Sequence, residues 1–427
     1  MPTLPDQVER RVERFREQRW VLDNIIRTVG VTWGQGDMDF ALFPCGIGAL
    51  GDFLRVEHNV KKYNDIAREY AAAGRRRQEA AEDLERQGYT VAARESFYIA
   101  SVLYGQAQWP IADHTRQNYE LEKRKNHCYA RYAAHADHIV RQAEIPYQGK
   151  ALPGWLHLPP TYQPGQKVPC VITVGGMDST KEICVALHGD QLLSRGIAVF
   201  LFDGPGQYSS ALREIFVTEA GFYDAGRAIF DWLGRQEEID TEQIAVRGVS
   251  MGALWASQIS TVIPTTKACA IAYPSYEQGE DTAFQMNSPT FKLRFMFMSG
   301  YDDEAQFDTF IQKITADGLG ASVTCPYLVC CGEDDDWSSI ESTFAVLNEV
   351  TTPKELLLYQ AEGHTLHSRG SSHLGPNEFM YMADWINDRF QGKPMESQFS
   401  VVDATGRVHR QPWGEHRDYE YGLPEFV

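Results

Sequence analysis

The 427-residue sequence predicts an α/β protein, in which a mostly parallel β-sheet flanked by helices follows a helical N-terminal domain. Two observations predict this class. From residue 145 onward, short apolar runs alternate with helix-like segments, which is typical of parallel strands buried on both faces. Before residue 145 the chain is rich in Ala, Arg and Glu, with apolar residues three or four positions apart, as in amphipathic helices.

Charge and composition narrow the functional classes. The formal net charge of −18 would repel phosphate backbones and anionic lipids, so we expect neither nucleic acid nor a membrane as partner. No run of 18 apolar residues offers a membrane span, and the N-terminus lacks the apolar core of a secretory signal. The eight cysteines are scattered, which indicates reduced thiols rather than a disulfide framework. We therefore expect a cytoplasmic globular protein.

Three segments are predicted along the chain. Residues 1–144 form the helical N-terminal domain, with its periodic apolar positions. Residues 145–391 form the α/β domain, which begins with a β-hairpin rich in turn residues. Residues 392–427 are polar, aromatic and irregular, and we predict a C-terminal tail there.

Within the α/β domain, the alternation of strands and helices lapses at about residues 276–322. The segment is rich in Phe and Met, and it predicts a helical, lid-like insertion. Phe295 and Met298 are therefore candidates for substrate contact. The alternative is that the insertion packs its aromatic side chains into the core.

One serine lies between two glycines in the stretch G-V-S-M-G, residues 248–252. An apolar, strand-like run precedes this stretch and an Ala-rich, helix-like run follows it. That is the setting of a nucleophile elbow, where the serine occupies a strained turn and its hydroxyl projects above the sheet. Small residues are needed on both sides because the strand and the helix crowd together. We predict that Ser250 is the nucleophile of a hydrolase with the α/β-hydrolase fold.

A serine hydroxyl needs a base and an orienting acid, which in α/β-hydrolases follow in the order Ser, acid, His. The stretch L-V-C-C-G-E-D-D-D-W supplies Asp334, Asp335 and Asp336 after a strand. We choose Asp335, and the two neighbours stay open because loop geometry decides which carboxylate points inward. The stretch L-L-L-Y-Q-A-E-G-H-T-L-H offers two histidines after the last apolar run. We choose His364 as the base, with His367 lining the substrate pocket.

An oxyanion formed at Ser250 needs backbone N–H donors, one from the residue after the nucleophile and one from an earlier loop. Met251 would supply the first donor. The stretch G-G-M-D-S-T-K-E would supply the second through Gly176 or Met177, the alternative being an ordinary strand-to-helix turn. The D-G-P-G-Q stretch, residues 203–207, follows another strand, and we expect a structural role for it.

His135 and His138 lie three positions apart, as helical metal ligands can. No set of carboxylates or cysteines accompanies them, so we favour a solvated helix face. The sequence contains no H-E-x-x-H motif, no P-loop and no dinucleotide fingerprint. We therefore expect no metal site and no cofactor.

The stretches I-P-Y-Q-G-K, G-G-M-D-S-T-K-E, F-D-G-P-G-Q, R-G-V-S-M-G-A and A-E-G-H resemble one branch of the α/β-hydrolases over roughly residues 145–389. That branch holds the FrsA-like (fermentation–respiration switch) proteins, bacterial 2,6-dihydroxypseudooxynicotine hydrolase and the fungal yellowish-green heptaketide hydrolases of pigment pathways. The resemblance implies that Ser250, Asp335 and His364 are nucleophile, acid and base. It also implies a helical N-terminal domain that closes over the site and contributes to a homodimer.

Several members of this branch break carbon–carbon bonds beside a ketone. The resemblance therefore implies retro-Claisen shortening of an aromatic, polyketide-like ketone in secondary metabolism, through an acyl-serine intermediate. Carbon is a poor leaving group, so an additional acid would help. Candidates for this acid are Asp178, Glu182, Glu277, Glu280 and Asp281, and Asp178 is also a candidate for substrate binding. The alternatives are a carboxylesterase or thioesterase acting on similar acyl groups, and a non-catalytic relative that binds a partner protein.

Overall fold

The N-terminal third of the protein is helical, as predicted. The computed structural model describes residues 12–31, 38–183, 190–276, 284–285, 287–366 and 374–414. Within the described residues, six α-helices precede the first strand: α1 (Glu13–Thr28), α2 (Met38–Cys45), α3 (Leu50–Asn59), α4 (Asp65–Arg86), α5 (Thr90–Gln108) and α6 (Arg116–Ala134). Helix α5 packs between α4 and α6 and is buried along most of its length, which explains its apolar sequence.

Close packing and capping shape this helical region. The Gly74 backbone of α4 lies against the Tyr104 ring of α5, where an added Cβ would come within 3.0 Å of the ring. Helix α6 begins after Thr115, whose side chain accepts a hydrogen bond from the N–H of Asn118. Helix α6 also contacts the sheet domain.

Ten strands form one sheet in the order β1-β2-β4-β3-β5-β6-β7-β8-β9-β10 within the described residues. The strands are β1 (Val140–Tyr147), β2 (Lys150–His157), β3 (Val168–Val174), β4 (Ala198–Phe202), β5 (Ile239–Val249), β6 (Thr266–Ala272), β7 (Tyr327–Gly332), β8 (Lys354–Tyr359), β9 (Gln398–Val402) and β10 (Val408–Pro412). Neighbouring strands from β4 through β9 are parallel, and the pairs β1–β2, β2–β4 and β9–β10 are antiparallel. The predicted mostly parallel sheet is confirmed.

Helices cover both faces of this sheet. They are α7 (Asp190–Leu193), α8 (Tyr208–Leu212), α9 (Gly221–Leu233), α10 (Gly252–Val262), α11 (Pro289–Ser299), α12 (Glu304–Ile311), α13 (Leu319–Ser322), α14 (Ile340–Glu349) and α15 (Glu378–Phe390). Helices α11 to α13 interrupt the alternation between β6 and β7, where the insertion was predicted. None of the described helices combines the length and apolarity needed to cross a bilayer.

The irregular interpretation of the chain after residue 391 was wrong for β9 and β10. Strand β9 pairs in parallel with β8, and β10 closes that edge as an antiparallel partner. The β10 sequence V-H-R-Q-P is polar and ends in proline. An edge strand tolerates both features, because one side of it pairs with no other strand. Because β10 lacks the apolar pattern of a buried strand, the sequence did not predict it.

Parallel strands bring their carboxyl ends to one edge of the sheet. The loops that follow β3, β5, β6, β7 and β8 meet at this edge. The residues predicted to act as oxyanion donor, nucleophile, acid and base lie on four of these loops, so the topology brings them together.

Candidate active site

The turn after β5 is sharply strained at Ser250. This residue has φ +57°, in the left-handed region that a non-glycine residue rarely adopts. A Cβ on Gly248 would lie 2.3 Å from the Gly252 carbonyl oxygen, and one on Gly252 would lie 2.5 Å from the Val174 carbonyl oxygen. Strand and helix are therefore in backbone contact around the serine, and only glycine fits at both positions.

A hydrogen-bonded series links Ser250, His364 and Asp335, which we call the candidate triad. Ser250 Oγ lies 3.0 Å from His364 Nε2, and His364 Nδ1 lies 2.7 Å from Asp335 Oδ2. The side chains of His364 and Asp335 are 5% and 3% exposed. The arrangement is that of a nucleophile, a base and an acid that holds the base in place.

The loop after β7 selects one carboxylate from three. Asp335 Oδ1 accepts hydrogen bonds from the backbone N–H groups of Trp337 at 2.9 Å and Ser338 at 3.2 Å. Its other oxygen faces His364. Asp334 and Asp336 are exposed to solvent on either side, so Asp335 alone of the three is bonded to the histidine in the structure.

Two aromatic rings flank His364, and the sequence analysis predicted neither. The Trp337 ring is stacked on the imidazole with 4.6 Å between centroids and 26° between planes. The Tyr273 ring lies at 6.0 Å and is tilted by 53°. The Tyr273 hydroxyl donates to Glu378, whose pKa burial raises to about 8. In the sequence, the only indication that Trp337 lies near the site is its position two residues after Asp335.

The loop after β3 lies directly against the nucleophile. A Cβ on Gly176 would be 3.1 Å from Ser250 Cβ and 3.2 Å from the Val249 carbonyl oxygen. Met177 and Met251 line the same cavity as Ser250. The structure thus brings all three predicted oxyanion residues to the serine.

The candidate triad opens into a cavity with a largely aromatic wall. The aromatic residues that line it are Phe40, Trp109, Tyr273, Phe291 and Trp337, and its polar lining includes Asp178, Ser179, Ser275 and Asn287. Phe40 lies on α2 and Trp109 directly follows α5, so the helical region forms part of the wall. The Phe291 ring contacts Trp109 at 6.3 Å and Trp337 at 5.0 Å, each in an edge-to-face arrangement.

Phe295 and Met298 do not line this cavity, contrary to their predicted substrate contacts. They follow Phe291 on α11 by one and two turns, about 6 and 10 Å further along the helix axis. Phe295 is fully buried against Phe284 at 5.2 Å and Phe307 at 6.1 Å, and Met298 is fully buried as well. These two residues pack into the core, which was the alternative stated for the insertion.

Two of the proposed auxiliary acids differ in position. Asp178 lines the cavity, and burial raises its pKa, although His364 and Arg294 act in the opposite direction. Glu182 instead is fully buried and paired with Lys181 at 2.6 Å and Lys125 at 3.5 Å. It is therefore not available as an acid at the cavity. Glu277, Glu280, Asp281 and His367 lie outside the described residues.

Glu182 belongs to what we call the ion cluster, which joins α6 to the loops after β3 and β4. Its members are Glu122, Lys125, Lys181, Glu182 and Asp203. Lys125 lies 2.9 Å from Glu122, and Lys181 lies 3.0 Å from Asp203. Burial alone would raise the pKa of Glu122, but the two lysines outweigh it and hold that pKa far below its usual value.

The side chains of His135 and His138 do not face a common metal-binding position. His135 contacts Glu85 at the end of α6, while His138 lies beyond the helix and is bonded to His157 at 2.8 Å. The His138 side chain is only 6% exposed, so the interpretation as a solvated helix face was wrong for it. In the part of the chain that the structure describes, no group of three or more His, Cys, Asp or Glu residues could hold a metal ion.

Two family profiles and several known proteins match the chain. Residues 61–274, half of the chain, match the profile of the FrsA-like esterase family, and residues 187–393 match that of the prolyl oligopeptidase family. The chain is 29% identical over 276 residues to the α/β hydrolase xenA of Xenoacremonium sinensis, covering 62% of this chain and 64% of the relative. The chain thus spans less than two thirds of that relative's length.

A second relative and a solved structure carry almost the same name. The 2,6-dihydropseudooxynicotine hydrolase of Paenarthrobacter nicotinovorans is 28% identical over 307 residues, covering 70% of this chain and 78% of the relative. The crystal structure of the 2,6-dihydroxy-pseudo-oxynicotine hydrolase superposes with a TM-score of 0.71 at 21% identity, covering 84% of this chain and 97% of the other. The superposition shows the α/β-hydrolase fold. The chain therefore belongs to the FrsA-like esterase family.

Proposed function

We propose that the protein is a serine hydrolase that cleaves the carbon–carbon bond beside a ketone in an aromatic, polyketide-like substrate. One observation supports this most strongly. The hydrogen-bonded series from Asp335 through His364 ends at Ser250 in a cavity lined by five aromatic side chains. Such a reaction requires a nucleophile with its base and a cavity whose apolar wall can accept a ring-bearing substrate.

In the first step, Ser250 Oγ adds to the ketone carbon while His364 Nε2 takes the hydroxyl proton. Asp335 holds the imidazole with Nε2 toward the serine and stabilises the imidazolium that forms. The carbonyl electron pair moves onto oxygen, and the N–H of Met251 together with that of Gly176 or Met177 binds the oxyanion.

In the second step, the oxyanion re-forms a carbonyl and the carbon–carbon bond breaks. The bonding pair leaves with the departing carbon as an enolate or arene carbanion, which the His364 imidazolium protonates. Asp178 is a second proton source, because burial favours its neutral form. Water, deprotonated by His364, then attacks the acyl-serine carbonyl. The bond from that carbon to Ser250 Oγ breaks, the carboxylic acid is released, and the His364 imidazolium returns the proton to Ser250 Oγ.

The comparisons support the substrate class only in outline. One relative is named as a hydrolase of 2,6-dihydropseudooxynicotine. Trp109, Phe291 and Trp337 meet edge to face along the cavity wall of this chain, which suits a flat ring-bearing substrate.

A second candidate is a carboxylesterase or thioesterase on aromatic acyl groups. The family description names esterases, and the same triad and oxyanion donors would serve an ester. An alkoxide or thiolate leaves more readily than a carbanion, so this reaction would not need Asp178.

The deciding experiment compares kcat/KM on an aryl 1,3-diketone with that on the matched aryl ester, with products identified by mass. We expect the diketone to be preferred and to yield a short acid and a shortened ketone. Turnover of the ester alone would make the protein an esterase. The Ser250→Ala variant should be inactive on both substrates, and retained turnover would refute the acyl-serine mechanism. An unreactive Ser250 towards a fluorophosphonate would point to a non-catalytic relative.

A further inference from the structure

The turn after β4 contacts the loop after β3, on which the candidate oxyanion donors lie. Gln207, which is 1% exposed, is the main contact in this turn. Its Nε2 donates to the carbonyl oxygens of Gly175 at 2.8 Å and Gly176 at 2.9 Å. Its Oε1 accepts from the N–H of Gly204 at 2.8 Å. The side-chain amide therefore binds both loops at once.

These two hydrogen bonds determine where the candidate donors point. In a planar trans peptide, the C=O of one residue and the N–H of the next point in opposite directions. The Gly175 carbonyl shares its peptide with the N–H of Gly176, and the Gly176 carbonyl shares its peptide with the N–H of Met177. Holding both carbonyls towards Gln207 turns both N–H groups away from it. Successive N–H groups on one side of the chain form a concave site that favours anions.

Two further contacts hold the same loop to the same turn. The Tyr208 hydroxyl donates to the Asp178 carbonyl oxygen at 2.7 Å. Asp203 Oδ1 accepts from the backbone N–H of Lys181 at 2.9 Å. Hydrogen bonds thus hold the loop next to the candidate donors. Among these contacts, it is Gln207 that fixes the orientation of the two peptides that carry the donor N–H groups.

We propose that Gln207 is a positioning residue of the oxyanion hole, acting through the N–H groups of Gly176 and Met177. The inference rests on the proposed function, in which Ser250 is the nucleophile. Gln207 is absent from the cavity lining, so it does not touch the substrate. Its effect is to hold the donors where negative charge develops, which matters in the transition state more than in the bound substrate.

The test uses Gln207→Glu and Gln207→Met, with Tyr208→Phe as the matched control. The Glu variant retains an acceptor for Gly204 but loses both donors, and the Met variant keeps the length of the side chain without polar atoms. Tyr208→Phe removes a hydrogen bond between the same turn and loop, but not from the peptides of Gly176 and Met177. Active sites are counted by fluorophosphonate labelling. On an aryl ester, kcat is then expressed per labelled site, and KM is measured in the same assay.

We expect both Gln207 variants to lower kcat about 10- to 100-fold, with KM within about threefold, because the loss falls on the transition state. The rate constant of fluorophosphonate labelling should fall in parallel. Tyr208→Phe should lower kcat by less than about threefold, since the peptide it holds contains neither candidate donor. A merely structural role would reduce the melting temperature and the number of labelled sites, but not kcat per site.

The outcomes separate this inference from the proposed function. If the wild-type protein is not labelled at Ser250, the proposed function fails and the role of Gln207 fails with it. If the wild-type protein is labelled and the folded Gln207 variants match its kcat and labelling rate, only the inference is wrong. A rise in KM with unchanged kcat would also overturn it.

Discussion

The candidate triad and the ion cluster are two buried polar groups that each contain carboxylates, yet they differ in their access to the cavity. In the ion cluster every member is paired with another member, and none of them lines the cavity. In the candidate triad Ser250 and His364 both line the cavity, and Asp335 lies behind them. Both place carboxylates beside basic groups, but only one leaves an atom for a substrate.

This difference separates stability from function. Two lysines neutralise most of the charge of three buried carboxylates in the ion cluster, so that removing one partner leaves charge uncompensated. The candidate triad holds one carboxylate and one imidazole, and it affects the reaction only when a proton moves from the serine. We therefore expect changes in the triad to alter catalysis, and changes in the ion cluster to alter the free energy of unfolding.

The largest expected effect is that of Asp335→Asn in the candidate triad. The amide would favour the wrong imidazole tautomer and could not stabilise the imidazolium, so kcat should fall about 10⁴-fold. Steady-state kinetics on the aryl 1,3-diketone and on the matched aryl ester would measure this loss. Asp334→Asn and Asp336→Asn serve as controls and should stay near wild type because both side chains are exposed. A comparable loss in either control would transfer the acid to that residue.

Lys125→Met should break the ion cluster. Lys125 is fully buried between Glu122 and Glu182, and its loss leaves those carboxylates short of a cation. We expect the free energy of unfolding, measured by urea denaturation at pH 7, to fall by about 3–5 kcal/mol. Lys123→Met, an exposed neighbour on α6, is the control and should change it by less than about 0.5 kcal/mol. Equal stability of the two variants would contradict the assignment.

A matched pair on α11 applies the same distinction to apolar residues. Phe295→Ala opens a void in the core and should lower the free energy of unfolding by about 3–5 kcal/mol. Phe291→Ala removes part of the cavity wall and should lower kcat/KM on a ring-bearing substrate about two- to tenfold. Thermal unfolding and kinetics on both variants test this pair. If Phe295→Ala caused the larger kinetic loss per folded molecule, the cavity would be assigned wrongly.

The smallest effect concerns Trp337, which is stacked on His364. An indole face stabilises a cation, so it favours the imidazolium that forms during the reaction. Trp337→Leu should lower kcat about two- to fivefold, as measured by steady-state kinetics. Trp337→Phe should lie between the two proteins. An unchanged kcat in Trp337→Leu would show that the ring only fills space.

Much of the candidate site could be predicted because backbone geometry demands it. Gly248 and Gly252 are required where strand and helix touch, and the order of serine, acid and base follows from the order of the strands. The parallel sheet was predictable for the same reason, since its strands are apolar on both faces.

The parts of the site that the sequence did not predict depend on contacts between distant segments of the chain. Phe40 and Trp109 reach the cavity from the helical region, and no local pattern marks them among the other aromatic residues there. Phe291 and Phe295 share one helix and one residue type, and only their depth along α11 separates cavity wall from core. Gln207 lies in a turn whose role depends on the loop packed against it.

The left-handed backbone of Ser250 has a consequence for the whole molecule. Holding a non-glycine residue in that region costs about 1–2 kcal/mol, and every folded copy bears this strain whether or not a substrate is bound. A chain with glycine at position 250 would be relieved of it, at the expense of the hydroxyl. Stability and reactivity are therefore opposed at this one residue, and surrounding packing must hold the turn in a shape that it would not adopt alone.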